Sequence, residues 1–374
     1  MTTGQSKRLV EEQDFVKGWP HPSMLERPEL QNALSQSFAA SISRHAASCL
    51  NYGTAEEGAY MLGNPRFLRA LSGFLTTHYR RDVDPDTLMS TTGGSMGIDL
   101  CAHAHSVPGD FAVCEAPTFY LAHDMFRERG LQLREVPMEM DGMDLDRLER
   151  VVAELDGRCK LVYTIPIHHN PTGVSMSQAK RERLAALARQ YNFVVIADEA
   201  YQLVNFDKGS QTPSPLFYED DPDDPHIVSV GTFSKLIGPG MKVGWVQAHP
   251  ALLTPLSEVG FVGSGNNPVI FSSSGLTECL ESGAISEHVD FVTRELGRKC
   301  EVLCTELRKI GYNPVQPSGG YFVWVHNHRE RSTGRSGAGM SLELDDEYTR
   351  YMRLCFAWLS DEQIIEGIRF LDQA

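Results

Sequence analysis

The chain has 374 residues, 41% hydrophobic and 22% charged, the make-up of a folded, water-facing protein too long for one small core. Its 34 basic and 49 acidic residues leave a net charge of −15. Such a surface repels phosphate backbones and speaks against nucleic-acid binding, and an anionic ligand would need a cationic pocket of its own.

The opening stretch, MTTGQSKRLVEEQDF, has no apolar run of signal-peptide length, and no later window is apolar enough to span a bilayer. The eight cysteines are scattered without a CxxC pair and read as reduced, mostly buried thiols. Cys300 and Cys304 lie one helical turn apart but lack the histidines that would complete a metal site. The expectation is a cytoplasmic protein with no membrane partner and no metal.

From about Pro65 to Gln247, short apolar runs alternate with amphipathic stretches. Residues 111–117 (FAVCEAP), 160–166 (KLVYTIP), 193–201 (FVVIADEAY) and 226–233 (HIVSVGTF) predict buried strands. Residues 177–192 predict a helix with Leu184, Leu187 and Ala188 on one face, opposite Lys180, Arg181 and Arg183. Alternation of this kind predicts an α/β fold of right-handed βαβ units, with helices on both faces of a mainly parallel sheet. Functional groups in such sheets gather at the carboxyl ends of strands. Polar residues do follow the apolar runs here: EAPT from Glu115, HHNPTG from His168, DEAY from Asp198 and TFSK from Thr232. The acidic run YEDDPDDP (218–225) reads as a solvated loop.

After about residue 285 the texture changes. A long amphipathic helix (288–311) leads to a strand (319–325), a polar glycine-rich loop (326–348), another strand (351–359) and a last helix. Ser360 is the expected N-cap of that helix, with Gln363 as its capping-box partner. The expected division is an N-terminal arm with part of a small domain (1–45), a large domain (46–285) and a small α+β C-terminal domain (286–374).

Four motifs carry the chemistry: Asn170 in NPTG, Asp198 and Tyr201 in DEAY, Lys235 in SVGTFSKLIGPGMKVGW (229–245), and Arg353 in MRLCFAW. Each alone is weak, since NPTG is a common turn and an Asp at a strand end is often only a cap. Together, in this order, they resemble the fold type I aminotransferases (class I/II) that depend on pyridoxal phosphate. The likeness is nearest to the subgroup of 2-aminoadipate and aromatic aminotransferases and the aminotransferase-like half of certain bacterial regulators. It runs from GWPHPSML to the C-terminal helix. The resemblance implies a large domain whose mainly parallel sheet is sandwiched by helices. It also implies a small α+β domain built from the C-terminal segment and the N-terminal arm, pyridoxal 5'-phosphate as cofactor, amino acids and 2-oxo acids as substrates, and a homodimer.

The resemblance assigns roles that chemistry explains. Lys235 matches the lysine that holds the cofactor's aldehyde as a Schiff base and then carries the proton, work that needs a neutral amine. Lys160 and Lys208 read as ordinary surface lysines. Asp198 matches the carboxylate that keeps the cofactor's ring nitrogen protonated. Tyr201 and Asn170 match the groups on its 3′ oxygen, the alternative for Tyr201 being a packed aromatic below the sheet. For the phosphate, the turn at Gly94, Ser95 and Met96 opens a helix whose N–H groups can face an anion. Thr232 and Lys242 match the hydroxyl and cationic ligands, with Lys242 standing where arginine is usual and Met96 where a polar side chain is common. Phe119 matches the ring that stacks on the cofactor, with Tyr120 as the alternative one residue on. Tyr52 matches the tyrosine that reaches the neighbouring subunit's phosphate, the alternative being a buried ring. Arg353 matches the guanidinium that grips the substrate carboxylate in parallel hydrogen bonds, with Gly18 approaching the same carboxylate.

Transamination is the first reading. A decarboxylation, an elimination or an oxidase-like step would use the same residues, because orientation selects the bond that breaks. A non-enzymatic regulator is discounted, since only a short arm precedes GWPHPSML and the charge is acidic. His123, His168, His169, Asn266, Asn267 and the arginines of 327–336 (Arg329, Arg331, Arg335) are candidate specificity groups, each read singly as a polar surface residue.

Overall fold

The computed structural model describes residues 15–206, 214–329 and 332–373. Lys208 and Arg331 lie outside the described residues, as do the first 14 residues of the arm.

An eight-stranded sheet organises the larger part of the chain. Its strands are β1 (Leu88–Thr91), β2 (Phe111–Ala116), β3 (Gln132–Glu139), β4 (Gly142–Met143), β5 (Cys159–Thr164), β6 (Val194–Asp198), β7 (Ile227–Thr232) and β8 (Gly244–Ala248), in the order β1-β8-β7-β6-β5-β2-β3-β4. The run from β7 to β3 is parallel, while β8 is antiparallel to both its neighbours and β4 to β3. β2 and β7 are buried along their whole length, as a sheet covered on both faces requires. One cover is the cluster around Leu100, Phe126, Leu161 and Val246; the other holds Val113, Val162, Leu184 and Val195.

This topology determines where a site can form. β1, β2, β5, β6 and β7 all point the same way, so Thr91, Ala116, Thr164, Asp198 and Thr232 end at one edge. β8 starts there, with Gly244 directly between Thr91 and Thr232. Helix α1 (Gly94–His105) leaves β1 at that edge and lies close against the sheet. A Cβ at Gly97 would stand 2.8 Å from the Val230 side chain, so glycine allows the approach.

The predicted strands are present and shorter than read. The run 193–201 stops as a strand at Asp198, and 351–359 at Cys355, because the residues beyond turn towards the site. β1, β3, β4 and β8 were not anticipated. β3 carries Pro137 and has several exposed positions, and β8 begins inside a glycine-rich turn, so neither shows a clean apolar run. Helix α2 (Gln178–Tyr191) forms as expected, with one correction. Arg181 is buried, on the same face as Leu184, Ala185 and Ala188. Its guanidinium donates to the Ser214 carbonyl at 2.5 Å and lies 3.6 Å from Glu219. Arg183 stays at the surface and Lys180 is half-buried, both in ion pairs.

The second sheet has the order β9-β11-β10, all antiparallel: β9 (Phe322–His326), β10 (Arg335–Ser336) and β11 (Tyr351–Cys355). Helices α3 (Ala284–Lys309) and α4 (Asp361–Asp372) pack with it, and the Ser360–Gln363 capping box is present at the start of α4. The N-terminal arm joins this body. Phe15 is fully buried, its carbonyl accepts from the Cys355 N–H, and its ring lies where a side chain on Gly367 would stand. Among the described residues no helix is long and apolar enough to cross a membrane.

Candidate active site

Lys235 sits in a single tight turn (Phe233–Lys235) directly after β7. The Tyr321 hydroxyl donates to its carbonyl at 2.6 Å, tying this turn to the segment that enters β9. Its Nζ donates to the Gly18 carbonyl at 2.9 Å and lies 5.5 Å from the centre of the Tyr201 ring and 5.7 Å from that of Tyr321. Burial, partly offset by Cys355 and Asp198 and reinforced by Arg353, pulls the amine down to about 8. A lysine in that range has a useful neutral fraction near neutral pH.

Asp198, the last residue of β6, is buried. The Tyr163 hydroxyl donates to its Oδ2 at 2.8 Å and the Ala200 N–H to its Oδ1 at 3.3 Å. Burial raises its pKa against the pull of these donors and of Lys235 and His169. A carboxylate held this way, with no salt bridge among the described residues, is suited to a cation placed against it. Behind it, His169 Nε2 stands 3.2 Å from Glu115, whose carboxylate also accepts from Thr164 and the Ile165 N–H, all fully buried.

Arg353 points from β11 into the cleft between the two sheets. It donates to Asn170 Oδ1 and to the Val16 carbonyl, both at 2.9 Å, and its guanidinium lies 4.2 Å from the centre of the Phe322 ring. Its Nε is buried without a partner. Burial is the first cause that lowers its pKa. Tyr201 is buried and packs on Tyr321 and Phe322 as well as facing Lys235, so the packed and the site-facing readings hold together. Phe322 also closes on Gly18, where a Cβ would meet its ring at 3.1 Å. Lys235, Asp198, Tyr201, Asn170, Arg353 and Gly18 are therefore brought together.

The other end of the site is a turn. Gly93, with φ +85°, opens α1, so Gly94, Ser95 and Met96 occupy the helix's first turn, where N–H groups lack helical acceptors. The hydroxyls of Ser234 and Thr232 lie 3.8 and 3.9 Å from where a Gly93 Cβ would be. Thr232 Oγ1 is 2.9 Å from Ser234 Oγ and accepts from the Ser234 N–H. Ser95 is exposed. The Met96 sulfur turns back to accept from the N–H and hydroxyl of Thr92, both at 3.1 Å. Lys242, in the left-handed conformation at φ +50°, is exposed.

Phe119 and Tyr120 are both half-buried. Phe119 packs on the core below the sheet edge, while Tyr120 carries the Arg335 guanidinium 4.1 Å from its ring centre. Tyr52 is 66% exposed, which removes the buried alternative for it. Its carbonyl accepts from Asn266. His123, His168, His169 and Asn267 are corrections, since all four are buried. His123 faces Glu135, and burial lowers its pKa to about 4. His168 is pressed against Gly319 and Gly320, and burial lowers its pKa to about 3. Asn267 clamps the Ser90 carbonyl and hydroxyl. Arg329 binds the Ile310 carbonyl and pairs with Asp372, away from the cleft.

Tyr163, Tyr321 and Phe322 were missed as parts of the site, and Glu115 was read only as a polar strand end. A glutamate inside the apolar run FAVCEAP was a usable signal for Glu115. Tyr163 carried none, because its reach to Asp198 depends on the register of β5 against β6.

Residues 34–371 match the family model for aminotransferase class I and II. The chain belongs to that family. It is 28% identical to the aromatic-amino-acid aminotransferase 1 of Thermococcus litoralis, over 97% of this chain and 88% of the relative. A multiple substrate aminotransferase from Thermococcus profundus superposes with a TM-score of 0.83 at 26% identity, covering 100% of this chain and 94% of the other. The alpha-aminoadipate aminotransferase LysN of Thermus thermophilus, solved with N-(5'-phosphopyridoxyl)-L-leucine, gives 0.80 at 24% identity, with 100% and 94% covered, and shares the fold. The enzyme is a pyridoxal-phosphate-dependent aminotransferase. The donor set fits this cofactor: a half-buried amine near its neutral range, a buried carboxylate without a salt-bridged cation, and a glycine turn flanked by two hydroxyls.

Proposed function

We propose that the enzyme moves an amino group between an L-amino acid and a 2-oxo acid, with Lys235 as the residue that holds the cofactor and carries the proton. The observation that supports this most is a half-buried amine with a pKa lowered to about 8 just after β7, beside Asp198 and Arg353. The chemistry supplied by bound pyridoxal phosphate is that of an aldehyde that condenses with amines and an electron sink next to the substrate Cα. Asp198, fixed by Tyr163, would hold the ring nitrogen, its buried carboxylate favouring the protonated ring. Tyr201 and Asn170 serve the 3′ oxygen. Gly94, Ser95 and Met96, with Thr232 and Lys242, receive the phosphate, backbone N–H groups and hydroxyls supplying directed donors. Phe119 would cover the ring face, with Tyr120 as the alternative.

Arg353 holds the substrate α-carboxylate, with Gly18 beside it. Fixing that group would orient the Cα–H bond for removal, and the Lys235 amine would carry the proton. The decisive assay incubates the purified protein with a panel of amino acids and 2-oxo acids and follows the products. Matched loss of one amine and gain of another supports transamination. Carbon dioxide or ammonia released in step with turnover, without amine transfer, would sink it. Borohydride reduction and peptide mapping should place the trapped cofactor on Lys235.

We further infer a homodimer in which Tyr52 reaches the partner's phosphate site. Exposed Ile42, Leu50, Tyr52, Phe261 and Phe271 support an apolar contact face. Sedimentation of an active monomer at working concentration would remove the dimer and the role of Tyr52 with it. The division at 45/46 and 285/286 belongs to the same reading, with the helix Pro28–Leu50 bending at His45. Eight buried, unpaired cysteines support a reducing, cytoplasmic setting.

A further inference from the structure

A second guanidinium faces the same cleft. Arg335 in β10 is the direct cross-strand neighbour of Arg353 in β11, and Trp324 in β9 is the neighbour on the other side. Direct partners in an antiparallel sheet point to the same face, so an indole and two guanidiniums form one row. Like charges placed opposite one another destabilise a sheet. Among the described residues no carboxylate and no hydrogen-bond acceptor meets the Arg335 side chain. Its contact is the Tyr120 ring at 4.1 Å, and its Nε is buried and unpartnered. An arginine kept only to anchor a loop would use its donors, since a buried donor without a partner is costly. In a chain of net charge −15, two adjacent cations with free donors are best explained by an anion that arrives from outside.

The loop that carries Arg335 is also firmly seated. The buried Glu135 carboxylate accepts from the Ser341 hydroxyl at 2.6 Å and from the N–H groups of Leu342 and Glu343 at 2.8 and 2.9 Å. The Met340 carbonyl accepts from the Thr118 N–H, and the Tyr348 hydroxyl donates to the Ala116 carbonyl. These bonds fasten the loop to the EAPTFY segment, so Arg335 and Tyr120 are set together at the mouth of the site. A preset cation of this kind recognises charge at little ordering cost.

We infer that Arg335 is a specificity-determining residue that receives a carboxylate on the substrate side chain, so that the enzyme takes dicarboxylic amino acids and 2-oxo acids. The inference rests on the reading of Arg353 as the α-carboxylate receptor. Tyr120 stacks behind the guanidinium and leaves its edge free for the parallel hydrogen bonds that carboxylates accept.

The test is calorimetric titration of the holoenzyme with glutarate and with pentanoate, equal in carbon number and different by one carboxylate. Glutarate should bind roughly 10- to 100-fold more tightly, as one charged hydrogen-bonded pair provides. Arg335→Gln should erase that preference and leave pentanoate affinity unchanged, and Arg335→Lys should keep part of it. The ratio of kcat/KM for dicarboxylic over monocarboxylic donors should fall in parallel. A wild-type enzyme that binds both acids equally, or a preference that survives in R335Q, would overturn the assignment. If R335Q also loses pentanoate, the variant is damaged and R335K decides: a reduced glutarate preference with pentanoate affinity kept supports the assignment, whereas 3-phenylpropionate bound more tightly than glutarate by both wild type and R335K overturns it in favour of an aromatic site. Borohydride trapping on the same samples separates the two layers. An enzyme with cofactor on Lys235 and no glutarate preference loses only Arg335, whereas one without the adduct loses the reading of the site.

Discussion

The two ends of the candidate site are built by different means. Around Lys235, Asp198 and Arg353 the wall is made of buried and half-buried side chains, each held by a partner: the Gly18 carbonyl on the amine, the Tyr163 hydroxyl on the carboxylate, and Asn170 and the Val16 carbonyl on the guanidinium. At the glycine-turn end, proposed for the phosphate, the available donors are the N–H groups of a helix's first turn, two hydroxyls and one exposed lysine. The buried end changes what its residues are, moving the lysine towards neutrality and the carboxylate towards its protonated form. The exposed end leaves backbone geometry to do the recognition. Substitutions in the first should therefore be severe and specific, and those in the second mild and redundant.

The greatest effect is expected at Lys235. Lys235→Ala should lower transamination by at least roughly 10²- to 10⁴-fold, the usual worth of a positioned proton carrier. It should also abolish the borohydride-trapped adduct. The lowered pKa gives a pH signature. Below about 8 the amine is protonated and cannot attack a carbonyl; above it the neutral form dominates. Capture of pyridoxal phosphate by the apoprotein, followed by absorbance, should quicken from pH 7 to 9 with its midpoint near 8. A midpoint at the ordinary lysine value would mean that the amine is solvated, and the contrast between the two ends would vanish.

Next is Asp198→Asn. The loss of an opposite charge against a buried cation is worth about 3–5 kcal/mol, or on the order of 10²–10⁴ in rate. Stability should respond in the other direction. The folded pKa of Asp198 is raised, so its contribution to apoprotein stability is complete below the ordinary carboxylate value and is lost as pH rises through the folded value. At pH 7 the D198N apoprotein should thus unfold at the same temperature as wild type or higher, while its turnover collapses. A D198N apoprotein that melts earlier would mean that the Tyr163 bond outweighs the burial cost.

The same contrast explains what could be read from the sequence. Strand–helix alternation and polar strand ends placed Asn170, Asp198 and Lys235 at one edge, because parallel strands end together whatever the details of packing. Tyr163 and Phe322 were not legible, since each reaches the site across a strand register or a gap between the two sheets. His123, His168 and His169 were misread for a related reason. A histidine in a polar stretch looks solvated, yet His169 and His123 face buried carboxylates that lie far away in sequence.

Arg353→Lys tests the carboxylate wall at an intermediate level. The charge remains and the fork is lost, at a cost of roughly 1–3 kcal/mol, or about 5- to 150-fold in kcat/KM for every amino donor. The trapped adduct on Lys235 should stay intact. An unchanged kcat/KM would show that the substrate carboxylate is held elsewhere in the cleft, and Arg335 is then the next residue to remove.

The smallest effect belongs to Lys242. It is exposed and sits in a left-handed turn, so its charge is screened by water and salt, and exposed pairs contribute little. The first-turn N–H groups beyond Gly93 and the Thr232 and Ser234 hydroxyls supply directed donors that do not depend on it. Lys242→Ala should weaken cofactor retention only about 2- to 5-fold, most visibly at low salt. Lys242→Arg should retain the cofactor as well as wild type or better, since a planar fork suits a phosphate. Dialysis against buffer of rising ionic strength, with the bound fraction read by absorbance, gives both numbers. Equal retention in both variants would make Lys242 an ordinary loop lysine. A loss as large as that of D198N would mean that the exposed end depends on a side chain after all, and that the phosphate draws Lys242 in when it binds.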